Sequence, residues 1–228
     1  MIQIITKLLS LILDSIFPKA CFGCDSTGSY FCDECIKTTP RQNTQRCIVC
    51  QKLSLAGLTH PKCKNTITPD QLITIFNYNQ RPIKQLIIAG KYRFVKDIFI
   101  LFGNILATEL NIDRSFTICE IPLSRGRQNW RGFNQTKILA EQLSRLKSIE
   151  CLELLNRHKH TRVQKDLSKQ EREFNLRNAF SINKQAMIPD RVIVIDDVTT
   201  SGTTFLEAAK ALKRAGAKFV WCIAIAQD

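Results

Sequence analysis

Residues 192–204 hold the side chains whose types and order could bind a phosphorylated sugar. Two acids, Asp196 and Asp197, follow four β-branched residues. Small hydroxyl residues and a glycine come next: Thr199, Thr200, Ser201, Gly202, Thr203 and Thr204. Hydroxyls and the free backbone N–H groups at a helix start would donate to an anion. Paired carboxylates would accept hydrogen bonds from sugar hydroxyls or hold a hydrated Mg²⁺. Because ribose 5-phosphate combines both kinds of group, we expect a ligand of that type.

The elements around this stretch must present it at one edge of a sheet. Residues 192–195 predict a strand that is buried on both faces, as in a parallel sheet. A helix over 205–215 that stops at Gly216 follows, and then a second strand over 219–225. This order predicts one right-handed βαβ unit, with the acidic loop at the carboxyl end of its first strand, where α/β proteins bind ligands.

The same stretch resembles the 5-phosphoribosyl 1-pyrophosphate (PRPP) motif of type I phosphoribosyltransferases: a hydrophobic strand, two acids, and a loop of Thr and Gly. Ser201 stands where that motif usually has its second Thr, and it keeps the hydroxyl. The resemblance implies that residues 200–204 cradle the 5-phosphate and that the two acids hold the ribose hydroxyls. Some proteins keep this motif as a ligand sensor, so it predicts PRPP binding without deciding whether the protein is catalytic.

Cysteines and one histidine form four pairs with the spacing of metal ligands. Two such turns can aim four ligand atoms at one tetrahedral Zn²⁺. Taken in chain order, the pairs predict two sites: Cys21, Cys24, Cys32 and Cys35 for one ion, and Cys47, Cys50, His60 and Cys63 for the other. An interleaved grouping is the alternative. Zinc is favoured over disulfides because the N-terminal segment does not have the features of a secretion signal.

A basic segment, residues 125–131, follows the strand that the sequence predicts over 115–121. We expect this segment to be a loop at the same sheet edge as the acidic loop. Arg125, Arg127 and Arg131 could then meet the pyrophosphate end of the ligand, because a guanidinium fork matches phosphate oxygens. A solvated basic loop is the alternative. Trp130 is expected to pack within the protein and not to stack on a base.

Several segments together resemble the ComF family. They are residues 130–135 (WRGFNQ), residues 161–164 (TRVQ) with Arg172 and Asn175, residues 178–180 (NAF), the acidic loop and the cysteine pairs. The likeness extends over nearly the whole chain. It implies a double zinc ribbon fused to a type I phosphoribosyltransferase fold, and a role in natural competence or DNA handling. The second ribbon of that family usually has four cysteines, and here His60 takes one of those places.

The run 157–177 is polar and strongly basic. In transferases of this kind a mobile loop closes over PRPP and excludes water from an oxocarbenium-like centre. We expect residues 161–167 to be this loop, with Thr161, Arg162, Gln164 and Lys165 in it. The alternative is a strip that follows the backbone of single-stranded DNA, and both uses are compatible. The net charge of +13 agrees with a polyanionic substrate or partner, or with a solvated basic surface.

The sequence predicts three parts and an α/β fold. Residues 1–18 form an amphipathic docking helix ended by Pro18, with a membrane-surface role as the alternative. We expect no transmembrane segment, because the apolar run is interrupted by charges and is too short to cross a bilayer. Residues 19–68 form the double zinc ribbon. Residues 69–228 form a type I phosphoribosyltransferase-like parallel sheet flanked by helices, and the protein is expected to be cytoplasmic.

The remaining elements of the third part follow from apolar patterning. Strands are predicted over 70–78, 115–121 and 149–155, and helices over 81–89, 95–110 and 133–146.

Two functional hypotheses remain open. The first is an enzyme that binds PRPP with Mg²⁺ and transfers the phosphoribosyl group to an acceptor that the sequence does not identify. No side chain stands out as the general base. The second is a non-catalytic module that senses PRPP and binds single-stranded DNA or another competence protein. A purely structural zinc adaptor would leave residues 192–204 unexplained.

Overall fold

The computed structural model describes residues 18–158 and 179–228. The predicted docking helix, except Pro18, and the predicted loop over 161–167 lie outside the described residues. In chain order the strands are β1 (Gln45–Arg46), β2 (Leu53–Ser54), β3 (Gln71–Asn77), β4 (Thr117–Glu120), β5 (Leu155–Arg157), β6 (Phe180–Ile182), β7 (Arg191–Thr199) and β8 (Phe219–Gln227). The helices are α1 (Asp33–Thr38), α2 (Arg81–Tyr92), α3 (Asp97–Glu109), α4 (Arg125–Arg131), α5 (Gln135–Lys147) and α6 (Thr203–Arg214).

The centre of the fold is a four-stranded parallel sheet in the order β3-β8-β7-β4. The two central strands are runs of Val, Ile and Ala because helices cover both faces of a parallel sheet. Ile193 and Ile195 of β7 share one core cluster with residues of α2, α3 and α5. Val192 and Val194 share the other cluster with residues of α6 and the β5–β6 hairpin. Each fully buried Ile or Leu adds about 1.5–3 kcal/mol, so this alternation fixes the register of β7.

The predicted α/β class and its parallel sheet flanked by helices are confirmed. Three local expectations were wrong. Residues 149–155 make only an isolated parallel bridge, between Cys151 and Ile118, before β5 begins and pairs antiparallel with β6. The basic segment after β4 is a helix, α4, and not a loop. Strand β7 continues to Thr199, so both acids lie within the strand and not in the following loop.

The cysteine-rich segment is packed along the outer edge of β3. The Gln45 side chain donates to the Thr74 carbonyl at 2.8 Å and accepts from the Thr74 amide at 3.0 Å. The Gln42 amide donates to the Ile75 carbonyl at 2.7 Å. Phe31 and Ile48 of this segment are buried in the two core clusters of the sheet. The segment is therefore continuous with the main core.

Within the described residues, no helix has the length and apolar character needed to cross a membrane.

Candidate functional site

The turn between β7 and α6 has the backbone shape of an anion-binding loop. Gly202 caps the helix with φ +78°, a left-handed conformation that glycine adopts without a steric penalty. A Cβ atom at this position would lie 2.8 Å from Cγ1 of Ile48, so space also requires glycine. The hydroxyls of Ser201 and Thr203 lie 2.7 Å apart beside the helix start. The first backbone N–H groups of α6 and these hydroxyls are donors of the kind that bind phosphate.

This turn opens into a cleft of about 790 Å³. The lining residues come from three parts of the chain: residues 198–204 of the turn, Asn77, Gln227 and Asp228 at the ends of β3 and β8, and Gln42, Arg46 and Gln51 of the cysteine-rich segment. The predicted phosphate-binding residues Thr199, Thr200, Ser201, Gly202, Thr203 and Thr204 all lie in this lining. The third group was not predicted, because no local pattern in the sequence relates it to the turn.

The two acids of β7 lie on opposite faces of the sheet, because successive residues of a strand point to opposite sides. Asp197 is on the side of α2, where its Oδ2 lies 2.6 Å from Nζ of Lys91. Burial alone would raise the pKa of Asp197, but the Lys91 ammonium holds it below its usual value. Burial, and then the charge of Asp197, raise the pKa of Asp196 to about 8. The two carboxyls therefore have different protonation states near neutral pH.

The three predicted arginines separate into two groups. Arg125 and Arg127 are exposed on α4, whereas Arg131 is buried and donates to the side chain of Gln135. Burial lowers the pKa of Arg131, and the opposing charge of Asp197 raises it. Arg131 therefore contributes positive charge near Asp197 from inside the fold, and only the first two present a guanidinium to solvent.

Arg157 on β5 is a further charged group at this edge of the sheet that the sequence did not single out. Burial lowers its pKa, the charge of Arg127 lowers it further, and the charge of Asp196 raises it. These influences indicate that Arg157 lies near both residues. The predicted loop residues Thr161, Arg162, Gln164 and Lys165 follow closely along the chain and lie outside the described residues.

Three aromatic side chains form an exposed group beside α4. The ring centroid of Trp130 lies 5.9 Å from that of Tyr92 and 5.3 Å from that of Phe94. Trp130 therefore contacts two other rings, but 56% of it remains exposed, as does 60% of Tyr92, so it is not packed within the protein as the sequence led us to expect. An exposed aromatic surface of this kind, with Arg125 and Arg127 on the same helix as Trp130, has the composition of a base-stacking site.

The first cysteine cluster fits a tetrahedral metal. The sulfurs of Cys21, Cys24, Cys32 and Cys35 all lie within 4.8 Å of one another. Backbone amides of Gly23 and Cys32 donate to Sγ of Cys21 at 3.4 Å, an arrangement that stabilises a thiolate. Burial alone would raise the pKa of the Cys21 thiol, but amide donors from Cys32, Gly23 and Cys24 lower it to about 6. Zinc requires thiolates of this kind.

The second cluster brings together Cys47, Cys50, His60 and Cys63, again within 4.8 Å. Nδ1 of His60 lies 3.3 Å from Sγ of Cys50, while its Nε2 lies 3.0 Å from the Leu53 carbonyl. Nε2–H therefore donates to the carbonyl, and Nδ1 is left to bind a metal, which is the usual arrangement of a ligating histidine. The structure brings the ligand atoms together in the predicted sequential grouping, and each cluster could hold zinc.

Two curated relatives match most of the chain. The chain is 31% identical to Competence protein ComFC of Streptococcus pneumoniae over 206 residues, which is 88% of this chain and 84% of the relative. It is 30% identical to DNA utilization protein YhgH of Escherichia coli over 209 residues, 84% of this chain and 88% of the relative. Competence protein F of Haemophilus influenzae is 41% identical over 112 residues, so this match spans about half of each protein: 47% and 49%. No family model matches the chain.

Two solved structures match a smaller part. The allosteric regulatory enzyme of purine biosynthesis has a TM-score of 0.40 and 21% identity, covering 55% of this chain and 25% of the enzyme. Glutamine PRPP amidotransferase from B. subtilis, complexed with ADP and GMP, has a TM-score of 0.38 and 20% identity with the same coverage. The family is therefore identified by the curated relatives and not by these partial matches.

Fold, turn and clusters together define a protein in which a parallel α/β sheet with a turn rich in hydroxyl residues is joined to a segment with two clusters of potential metal ligands. The match to relatives over more than four-fifths of the chain makes the identification specific. The chain belongs to the ComF family.

Proposed function

We propose that this protein binds PRPP in the cleft between the β7–α6 turn and the second ribbon. The observation that carries the proposal is the unit itself: a buried parallel strand with two acids, a turn of hydroxyl residues, and an uninterrupted helix whose first N–H groups face a cleft of about 790 Å³. A phosphate at the helix start would gain from the helix dipole and from the free donors. We assign the 5-phosphate to residues 199–204.

We assign the ribose end of the ligand to the two acids, with different roles. Asp197 is buried and paired with Lys91, so it is the less accessible of the two to a ligand. We assign a ribose hydroxyl to Asp196; a hydrated Mg²⁺, whose preferred ligands are carboxylate oxygens, would have to displace the proton that Asp196 holds near neutral pH, where its pKa is about 8. When bound, Mg²⁺ would neutralise charge on the pyrophosphate. Arg125 and Arg127 on α4 are exposed and free to turn toward the same charge.

If the protein is catalytic, its residues act mainly by orientation and charge. Holding PRPP between fixed donors and arginines would align the anomeric carbon and stabilise the departing pyrophosphate. No described residue has the position of a general base, so the acceptor would bring its own nucleophile. Zinc in the two clusters would have a structural role, because all four positions of each tetrahedron are taken by the protein.

Titration calorimetry with PRPP, with and without Mg²⁺, tests the proposal, and a pyrophosphate-release assay with candidate acceptors then separates a transferase from a sensor. Asp196→Asn is the variant of choice and should weaken Mg²⁺-dependent binding at least tenfold, about 1.4 kcal/mol. The double change with Asp197→Asn should abolish binding, yet it also leaves Lys91 without its partner and thus confounds binding with stability. Unchanged PRPP affinity in Asp196→Asn would refute the assignment of the ribose site.

A role in DNA uptake or handling is supported by the names of the relatives and by the surface beside α4. The exposed aromatic group of Tyr92, Phe94 and Trp130 beside Arg125 and Arg127 favours contact with single-stranded DNA, since bases stack on aromatic rings and phosphates pair with arginines. We therefore propose single-stranded DNA as a second ligand, and other competence proteins as partners, with the protein acting in the cytoplasm. Binding of a labelled oligonucleotide at several salt concentrations tests this function, because phosphate contacts give a steep salt dependence.

A further inference from the structure

The second metal cluster lies directly against the anion-binding turn. Gln51, the residue after the ligand Cys50, has φ +59°, and its amide donates to the carbonyl of the ligand Cys47 at 2.8 Å. Its side-chain Nε2 donates to the Ile48 carbonyl at 2.8 Å and to the Ser201 carbonyl at 3.3 Å. One side chain therefore joins the metal-binding turn (residues 47–51) to the backbone of the turn between β7 and α6, here called the phosphate loop (residues 199–204).

Packing strengthens this link. Ile48 lies between the ligands Cys47 and Cys50 and is fully buried in the same core cluster as Phe205 of α6. It also occupies the space next to Gly202 that a Cβ atom would need. The metal-binding turn is thus the outer wall of the phosphate loop, and a change in the turn would move the loop.

Two polar side chains in the cleft, Gln227 and Arg46, indicate that the metal-binding turn also faces a bound ligand. Gln227 is 7% exposed, and within the described residues its Oε1 has no hydrogen-bond partner, while its Nε2 donates to Oε1 of Gln51 at 3.4 Å. A buried acceptor of this kind needs a donor, and a ligand hydroxyl or a water in the cleft would supply it. Arg46 lines the same cleft, and its guanidinium donates to the Gln51 carbonyl at 2.8 Å while remaining exposed.

We propose that the metal-binding turn is part of the ligand site: Arg46 contributes charge to the phosphate of PRPP, Gln51 positions the loop, and the metal in the second cluster is required for binding. The first cluster has no residue in the cleft and is not required in this way. This inference rests on the proposed PRPP function. Its physical basis is linkage: if the metal orders the turn and the turn orders the loop, ligand and metal must each strengthen the binding of the other.

The first arm of the test compares affinities for PRPP with Mg²⁺ by calorimetry. Gln51→Ala should weaken binding about three- to tenfold, the effect of one lost hydrogen bond, and Arg46→Gln about tenfold. Arg46→Gln should also reduce the salt dependence of binding. Asn43→Ala removes an exposed side-chain amide of the same segment, outside the cleft; it is the matched control and should bind as the unaltered protein does. Zinc content and thermal unfolding verify that each variant is folded.

The second arm measures a property that a merely structural residue would not change. A chelator that binds zinc but not magnesium is added to the two-zinc protein, and release of each ion is followed with a colorimetric zinc indicator. PRPP with Mg²⁺ should slow release of one ion severalfold and leave the other unaffected, and Gln51→Ala should remove this protection.

The outcomes separate the two proposals. Unaltered protein that does not bind PRPP refutes the proposed function and this inference with it. PRPP binding that is equal in the unaltered protein, Gln51→Ala and Arg46→Gln refutes the inference alone, as does equal protection of both ions or of neither.

Discussion

Gly202→Ala should destabilise the protein for two separable reasons. The residue has φ +78°, and an L-residue in the left-handed region costs about 1–2 kcal/mol. The new Cβ would also lie 2.8 Å from Cγ1 of Ile48, which must then move off its preferred rotamer at a cost of about 1 kcal/mol. We therefore expect the free energy of unfolding to fall by about 2–3 kcal/mol.

Gly132 provides a control with the same backbone strain and no contact. Its φ is +74°, and a Cβ atom there meets nothing within 4 Å. Gly132→Ala should therefore lose only the conformational part, about 1–2 kcal/mol. Urea unfolding of both variants, each with and without Ile48→Ala, forms a double-mutant cycle that isolates the contact. The reasoning would be refuted if both glycine variants lost the same free energy of unfolding, or if Ile48→Ala did not reduce the loss in Gly202→Ala. Either result would show that Ile48 does not restrict the space at position 202.

Three more predictions concern the metals, the acids and the aromatic surface. Metal analysis of protein purified without added zinc should give two zinc ions per chain, as the two four-residue clusters require; fewer than one ion, or disulfides in mass spectrometry, would contradict the ribbon assignment. Asp196→Asn should raise the free energy of unfolding at pH 8–9. A carboxyl with a pKa of about 8 when folded and about 4 when unfolded takes up a proton on folding between these two values, so the stability of the unaltered protein falls as pH rises from about 4 to about 8 and then levels off. In urea unfolding at several pH values the gain should vanish below pH about 4, and a gain that persists there would assign it to another cause. Trp130→Ala should weaken single-stranded DNA binding about tenfold, measured by fluorescence anisotropy. Phe219 is an exposed aromatic residue at the amino end of β8, and Phe219→Ala is the control that should leave binding unchanged. Equal affinity in the unaltered protein and both variants would exclude the aromatic group from DNA binding.

The sequence predicted the elements whose signals are local. Strand β7, helix α6 and strand β8 follow from a β-branched run, an apolar face and a second apolar run, and the metal ligands follow from pair spacing. The arginine segment was assigned to a loop because it directly follows the strand predicted over 115–121, and its short polar sequence gave no sign of a helix. The end of β7 was placed too early because two acids interrupt the apolar run, although backbone pairing with β8 continues to Thr199.

The shape of the site depends on contacts that no local pattern encodes. Gln51 and Ser201 are 150 residues apart along the chain. Lys91 lies at the end of a helix where any polar residue would satisfy the pattern, and only the folded structure places it 2.6 Å from Asp197. Such residues can be identified as part of the site only from the folded structure, in which the edge of the sheet is assembled.

The contact between the ribbon segment and β3 has a consequence for solubility. β3 is an edge strand of the sheet, and an uncovered edge offers free amide and carbonyl groups to a strand of another molecule. Here Gln42 and Gln45 occupy those groups at Ile75 and Thr74. If a metal in the clusters orders this segment, its removal would also uncover the edge, and we expect the protein then to self-associate along β3.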